Sequence, residues 1–310
     1  MVNVIGILGA VASVFTILDS IFNNVPKGRN SLVSIRAALD KKDGSGTMGG
    51  RIGLIRTWNN NRDKLGEVSN RKIGTGDLIE VQVSQKNGQQ ATYASLHASN
   101  DAVCIAYVVI TWVGGERYAW LGDFGRVCGL PWYPSNVYVD NGKHQPTCTW
   151  IDGDGTNGLF AKSISIHFPT FAHEPNKPYS KDPKSYCGIQ GLLGYQDLEM
   201  RRPVPVPNNR KRAIGPHRRS ASDTRVVVTK EAGYNTTDLC TSETSWGPDF
   251  VSLDEGLYCD MDSRELLSVC QEDKDVVPCF DAETMKIEYG DKVARDAIPQ
   301  QKEFTEIIQW

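Results

Sequence analysis

The sequence predicts a mainly β protein, an antiparallel β-sandwich of jelly-roll type followed by a small disulfide-rich module. Three observations carry this. Short runs of alternating or β-branched residues recur from Arg51 to Phe168, each bounded by turn residues. Glycine is abundant at 29 residues, with 15 prolines, and long amphipathic stretches are few, which favours turns and short strands over helices. Four of the eight cysteines cluster between Cys240 and Cys279. So short a stretch buries little core of its own, and bridges would compensate.

Residues 1–25 read as a hydrophobic leader or signal-like helix. The apolar run from Val4 to Leu18 is long enough for a signal-peptide core and too short for a comfortable membrane span. Ala10-Val11-Ala12 offers a small-x-small cleavage site, but no Lys or Arg precedes the run. A retained helix, buried or touching a membrane, stays open beside the signal reading.

Residues 26–172 form the expected sandwich. The stretch 26–50 is polar and Gly-rich, with a short helix expected at Ser34 to Leu39. Arg51 to Trp58 reads as a strand, Asn59 to Asp63 as a turn, and Lys64 begins the return. Leu78 to Val83 alternates, placing Ile79, Val81 and Val83 on one face. Ala91 to His97 is a further strand. Cys104 to Val113 is apolar and β-branched, so it should be a central strand buried on both faces. Gly114-Gly115 turns the chain into Arg117 to Leu121, a hairpin partner. Strands follow at Ser135 to Val139 and Thr147 to Ile151. Ser163 to Phe168 alternates again, with Ile164, Ile166 and Phe168 inward and His167 outward at the surface.

Residues 173–224 have linker composition, punctuated by prolines, with Cys187 tying the segment back to the sandwich. Residues 225–310 are the small Cys-rich module. It opens on the strand Val226 to Thr229 and carries acids at Glu243, Asp249, Asp254, Glu255, Asp260 and Asp262. The tail offers Ile307, Ile308 and Trp310 to a neighbouring surface.

The net charge of −3 gives the whole chain no pull on nucleic acid or anionic membrane. The cysteines form no CxxC, and the histidines lack zinc spacing, so disulfides and an oxidising compartment are expected. Proximity along the chain suggests Cys128–Cys148, Cys104–Cys187, Cys240–Cys259 and Cys270–Cys279, from three pairings open within each half. Asn235-Thr236-Thr237 is the one glycosylation sequon.

Between the two modules lie Arg210-Lys211-Arg212 and Arg218-Arg219. A nucleic-acid arm needs aromatics or a folded reader beside its charges, and this stretch has no Phe, Trp or Tyr. Lys211-Arg212 and Arg218-Arg219 instead read as dibasic sites for a kexin-type processing protease, on an exposed, extended segment. An uncut solvated linker stays open.

Several phrases also occur in a recognisable order: TYASLHASNDAVCIAYVVITW (Thr92 to Trp112), YAWLGDFGRVCGLPWYPSNVYV (Tyr118 to Val139), CTWIDGDGTNG (Cys148 to Gly158) and LCTSETSWGPDFVSLDEGLYCDM (Leu239 to Met261). Together they resemble a group of predicted secreted proteins from filamentous fungi. The resemblance covers about Arg51 to Phe168 and Arg225 to Phe280. It implies a fungal origin and an extracellular life, and brings no activity with it. The strand pattern is also similar to PLAT/lipoxygenase-homology sandwiches.

Three sets of residues suggest chemistry. Asp152, Asp154 and Asn157 on a Gly-rich loop suit a hard cation such as calcium, though Asp, Asn and Gly also make ordinary turns. Trp120, Trp132, Tyr133 and Trp150 would stack on sugars if exposed, and would be core if not. Asp123 with Asp152 or Asp154 would serve a carbohydrate-active enzyme, given a defined gap between two carboxylates. No motif of a nucleophile or metal hydrolase is present. The expected function is a secreted, noncatalytic recognition protein for a surface, glycan or protein. It would be effector-like or toxin-like and matured by dibasic cleavage. A membrane-active or self-assembling role for the N-terminal helix is the third reading.

Overall fold

The computed structural model describes residues 4–21, 26, 28–41, 43–156, 158–172, 180–196, 203, 223–271, 277–290 and 301–310. The chain divides into two units, Met1–Arg218 and Arg219–Trp310.

The first unit is an antiparallel sandwich. Its strands are β1 (Asn30–Ala37), β2 (Gly50–Trp58), β3 (Lys64–Ile73), β4 (Leu78–Ser84), β5 (Tyr93–Ala98), β6 (Val103–Thr111), β7 (Arg117–Leu121), β8 (Trp132–Pro134), β9 (Thr147–Ile151), β10 (Ser163–His167) and β11 (Leu192–Tyr195). One sheet runs β4-β1-β6-β9-β8, and β7 shares the β9 edge of β6. The other runs β11-β10-β5-β2-β3. Every residue of β6 is buried, as its unbroken apolar sequence predicts. In β4, Val81 and Val83 are buried while Glu80 and Gln82 are only half-buried, so the period-2 pattern holds there, but Ile79, expected on the inner face with them, is also only half-buried. Inside the second sheet, Trp58, Ser95 and Ser165 are paired across strands. Trp58 Nε1 donates to Ser95 Oγ at 3.0 Å, and Ser95 Oγ donates to Ser165 Oγ at 3.1 Å.

Four expectations change. Ser34 to Leu39 is not helical: Ser34 to Ala37 belong to β1, which is hydrogen-bonded between β4 and β6. Val33 and Ile35 are β-branched and fully buried there, so pairing on both edges outweighs local helix preference. Ser135 to Val139 is not a strand. The sheet residues are Trp132–Pro134, after which Asn136, Asp140 and Asn141 take positive φ and bend the chain away. His167 is not at the surface. It is 8% exposed, its Nδ1 lies 2.8 Å from Thr170 Oγ1, and its ring packs 4.4 Å from that of Tyr93. The cause is the fourth change: part of the expected linker is sandwich. β11 pairs with β10 and makes β10 an interior strand.

The disulfides explain how that segment is held. Cys128 bridges Cys187, and Cys104 bridges Cys148. This corrects the expected Cys128–Cys148 and Cys104–Cys187 pairs. Cys104 lies opposite Trp150 in the β6–β9 ladder, which puts Cys148 diagonally across on the same face. Cys128 caps the short helix α2 (Asp123–Val127), against which the turn at Pro183–Tyr186 packs. Cys187 therefore does anchor its segment, but to α2. Gly122, just before α2, has no room for a side chain, since a Cβ would meet the Thr147 carbonyl oxygen.

The N-terminal run forms the helix α1 (Val4–Ile21), which packs on β7. Leu8, Val11 and Val14 are buried, Ser13 Oγ accepts from the Asp140 N–H at 2.7 Å, and the Arg117 guanidinium sits 5.1 Å over the Phe15 ring. No described helix is long and apolar enough to cross a membrane.

The second unit is a mixed seven-stranded sheet. Its elements are β12 (Arg225–Thr229), α3 (Thr236–Thr241), β13 (Asp249–Ser252), β14 (Leu257–Asp260), β15 (Glu265–Val269), β16 (Cys279–Asp281), β17 (Lys286–Glu288) and β18 (Glu306–Gln309). The order is β17-β16-β15-β14-β13-β12-β18. The tail docks through Ile308 and Trp310, by parallel pairing of β18 with β12 and packing of Trp310 against Phe250 and Tyr234, whereas Ile307, expected to dock with them, is 46% exposed. Cys240–Cys259 joins α3 to β14, and Cys270–Cys279 closes the step from β15 to β16, both as expected.

Candidate functional site

Three acids of the second unit, Asp249, Asp260 and Asp262, converge on one face of its sheet. Asp249 opens β13, and its carboxylate is fully buried. The Tyr258 hydroxyl donates to Oδ2 at 2.8 Å, and the Met261 N–H donates to Oδ1 at 3.0 Å. Asp260 ends β14 and folds the next turn, its Oδ1 accepting from the Asp262 and Ser263 N–H groups. Asp249, Asp260 and Asp262 thus bring carboxylate oxygens within 4.8 Å of one another. That spacing would suit a metal ion, but the cation there is Lys302. Its Nζ lies 2.9 Å from Asp249 Oδ1, 2.8 Å from Asp262 Oδ2 and 3.9 Å from Asp260 Oδ1.

Charge and burial compete at this cluster. Burial pushes the Asp249 carboxyl up to about 6, although Lys302 pulls the other way. Burial also opposes the Lys302 ammonium, but the Asp249 and Asp262 carboxylates outweigh it and hold its pKa above the usual lysine value. Tyr258 is raised by burial and then by the nearby acids, so it stays a neutral donor.

Beside the cluster is a cleft of about 170 Å³. Behind it lies the core pair Tyr258–Phe280, each 1% exposed and stacked at 3.9 Å, with the half-buried Phe304 edge-on to Phe280 at 6.3 Å. Met285, Ile287, Tyr289, Gln301 and Lys302 line it. Gln301 fixes that lining. Its side-chain amide accepts from the Ile287 N–H at 3.1 Å and donates to the Ile287 carbonyl at 2.8 Å, as a paired strand would. Ser263 and Glu265 are exposed at the rim.

The residues expected to act lie elsewhere. Trp120, Trp132, Tyr133 and Trp150 are all buried, at 0%, 2%, 0% and 6% exposure. They are core of the sandwich and present no open ring face to a sugar, which corrects the stacking expectation. Asp123 is buried at the start of α2; its Oδ2 lies 3.1 Å from His144 Nε2, and its Oδ1 accepts from the Thr147 N–H. Burial opposes the His144 imidazolium, but Asp123 outweighs it and raises the pKa. Asp152 is fully buried, whereas Asp154 is exposed and accepts from the Thr156 N–H and hydroxyl, the geometry of an Asx turn. Asn157 lies outside the described residues, as do Lys211, Arg212, Arg218 and Arg219. Asn235 is exposed and caps α3 through Oδ1, which accepts from the Asp238 N–H at 2.8 Å.

The residue that sequence reasoning missed is Lys302. Five acids and no base lie between Asp249 and Asp262. A buried acid among them had to take its cation from a distant part of the chain, and that imbalance was the available signal.

No protein-family model and no curated protein matches this chain. Among solved structures it is similar to the Delta413-417:GS form of LOX, and to the same form in an anaerobic crystal structure in complex with arachidonate. Each match has 13% identity and a TM-score of 0.24, and covers 30% of this chain. The chain spans 14% of the length of those proteins.

Proposed function

We propose that the protein is a secreted, noncatalytic recognition protein that binds a protein partner through the cleft of its C-terminal unit. The cleft carries this reading: half-buried aromatic and aliphatic side chains, a lining pinned by Gln301 and a charged rim make a concave site that offers apolar and polar groups together. Complete pairing of the eight cysteines supports an oxidising, extracellular setting. The resemblance to predicted secreted fungal proteins supports the same setting. Cleavage at Lys211-Arg212 and Arg218-Arg219 belongs to this proposal as its maturation step. Glycan binding loses the rings on which it rested. A glycosidase using Asp123, Asp152 or Asp154 needs two carboxylates facing one open cleft; Asp123 and Asp152 are both buried, which leaves only Asp154 exposed.

A peptide array varying one side chain at a time tests the reading. The full chain should enrich one side-chain class, and Ile287→Lys, which puts an ammonium into the cleft lining, should lose that enrichment while keeping its fold. No enrichment, or equal enrichment by the variant, contradicts it.

A further inference from the structure

We infer that the cleft of the C-terminal unit takes the side chain of an arginine presented by a protein partner. This rests on the recognition reading above and names what that site recognises.

Size comes first. At about 170 Å³ the cleft is smaller than the roughly 300–1,000 Å³ of sites that take drug-sized ligands. It fits one long side chain better than a whole small molecule.

The walls and rim then choose among side chains. Phe304, Tyr289, Met285 and Ile287, all half-buried, offer apolar and aromatic surface to an aliphatic stem. Among the described residues that line the cleft, Asp260 and Glu265 stand against Lys302, and Lys302 is shared with Asp249 and Asp262 behind it. Lys302 is committed to Asp249 and Asp262 at 2.9 and 2.8 Å and stands 3.9 Å from Asp260. Glu265 has no ion-pair partner among the described residues. Negative charge is thus left on the cleft side, and the Tyr289 phenol senses it: burial, then Glu265 and Asp260, raise its pKa. An anionic guest would meet this field with its one countercharge already engaged.

A cationic guest with an apolar stem complements both features. Arginine fits better than lysine because its planar guanidinium stacks on ring faces and makes paired hydrogen bonds to a carboxylate, whereas an ammonium is a strongly hydrated point charge.

The test titrates the full chain with Nα-acetyl-arginine amide and with the lysine, norleucine and glutamate amides. Met285 and Ile287 methyl signals and the Tyr289 ring are followed by NMR. Arginine should give saturable shifts, at least fivefold tighter than lysine or norleucine and weakened by salt. Glu265→Gln, at an exposed position, should weaken arginine at least threefold and leave norleucine unchanged. Norleucine binding as tightly as arginine overturns the inference and leaves cleft recognition standing, as does tighter binding of glutamate. Arginine binding unaffected by Glu265→Gln also overturns it. No shift with any amide, together with an array that enriches nothing, overturns the recognition reading as well.

Discussion

Lys302 places its ammonium 2.9 Å from Asp249 Oδ1, against a carboxylate with no exposed side-chain surface. The two residues are 53 positions apart, and their pairing pins the segment 301–304 to the β13–β14 face. Removing one partner of a buried pair leaves the other uncompensated, which costs about 3–5 kcal/mol. Lys302→Met should therefore destabilise the C-terminal unit by about that amount. Lys302→Met with Asp249→Asn should recover most of the loss. Urea unfolding at neutral pH measures both.

The Asp249 carboxyl carries its own pH signature. Its folded-state pKa, about 6, lies above the ordinary 3.8. The folded state therefore holds the proton more tightly, and this contribution is complete below about pH 4 and lost as pH rises to about 6. The shift corresponds to about 3 kcal/mol. The difference between wild-type and Asp249→Asn unfolding curves should show that slope between pH 4 and 6. A flat difference would contradict the placement of Asp249.

His97 should give the opposite sign in the sandwich. It is 2% exposed in β5, its Nε2 has no partner among the described residues, and burial lowers its pKa from 6.5 to about 4. The unfolded chain takes up the proton first, so stability present above pH 6.5 is lost as pH falls towards 4. The loss approaches about 3 kcal/mol. His97→Gln should flatten it in a pH series of melting temperatures.

The two long bridges should separate in hydrogen exchange. Each closes a loop worth about 4 kcal/mol of unfolded-state entropy. Replacing Cys128 and Cys187 by Ser should release protection mainly at Leu192–Tyr195, the strand that this bridge secures to α2. Replacing Cys104 and Cys148 should lower protection across β6 and β9, since that bridge joins the centre of the sheet.

Gly122→Ala should destabilise the sandwich by about 1–3 kcal/mol, the range for overpacking a site that cannot yield. The obstruction is backbone, the Thr147 carbonyl oxygen, so no rotamer change relieves it. Thermal unfolding against Gly129→Ala, where a Cβ meets nothing within 4 Å but φ is positive, separates crowding from backbone strain.

Strands whose own residues alternate or run unbroken apolar were legible. Alternation in Leu78 to Val83 and the apolar run of Cys104 to Thr111 fixed burial directly, because strand faces follow period 2. What failed depended on remote pairing. Ser34 looks helical until β4 and β6 take its two edges. His167 looks exposed until β11, written as linker, covers the outer edge of β10. The cysteines misled for the same reason: sequence proximity favours Cys128 with Cys148, whereas the β6–β9 register puts Cys104 beside Cys148. The site was hidden more deeply. The aromatic residues that drew attention are core, and the acids of the C-terminal unit gain meaning only when Lys302 arrives from the far end of the chain.

The claim on which the functional account stands is that the chain works oxidised and outside the cytosol. Its most direct test is the intact mass of the protein recovered from the medium of its native host, before and after reduction. The account predicts a gain of two hydrogens for each of four bridges, with fragments ending at Arg212 or beginning at Ser220 where processing has occurred. Protein found only inside the cell, with free thiols and no mass change on reduction, would contradict it.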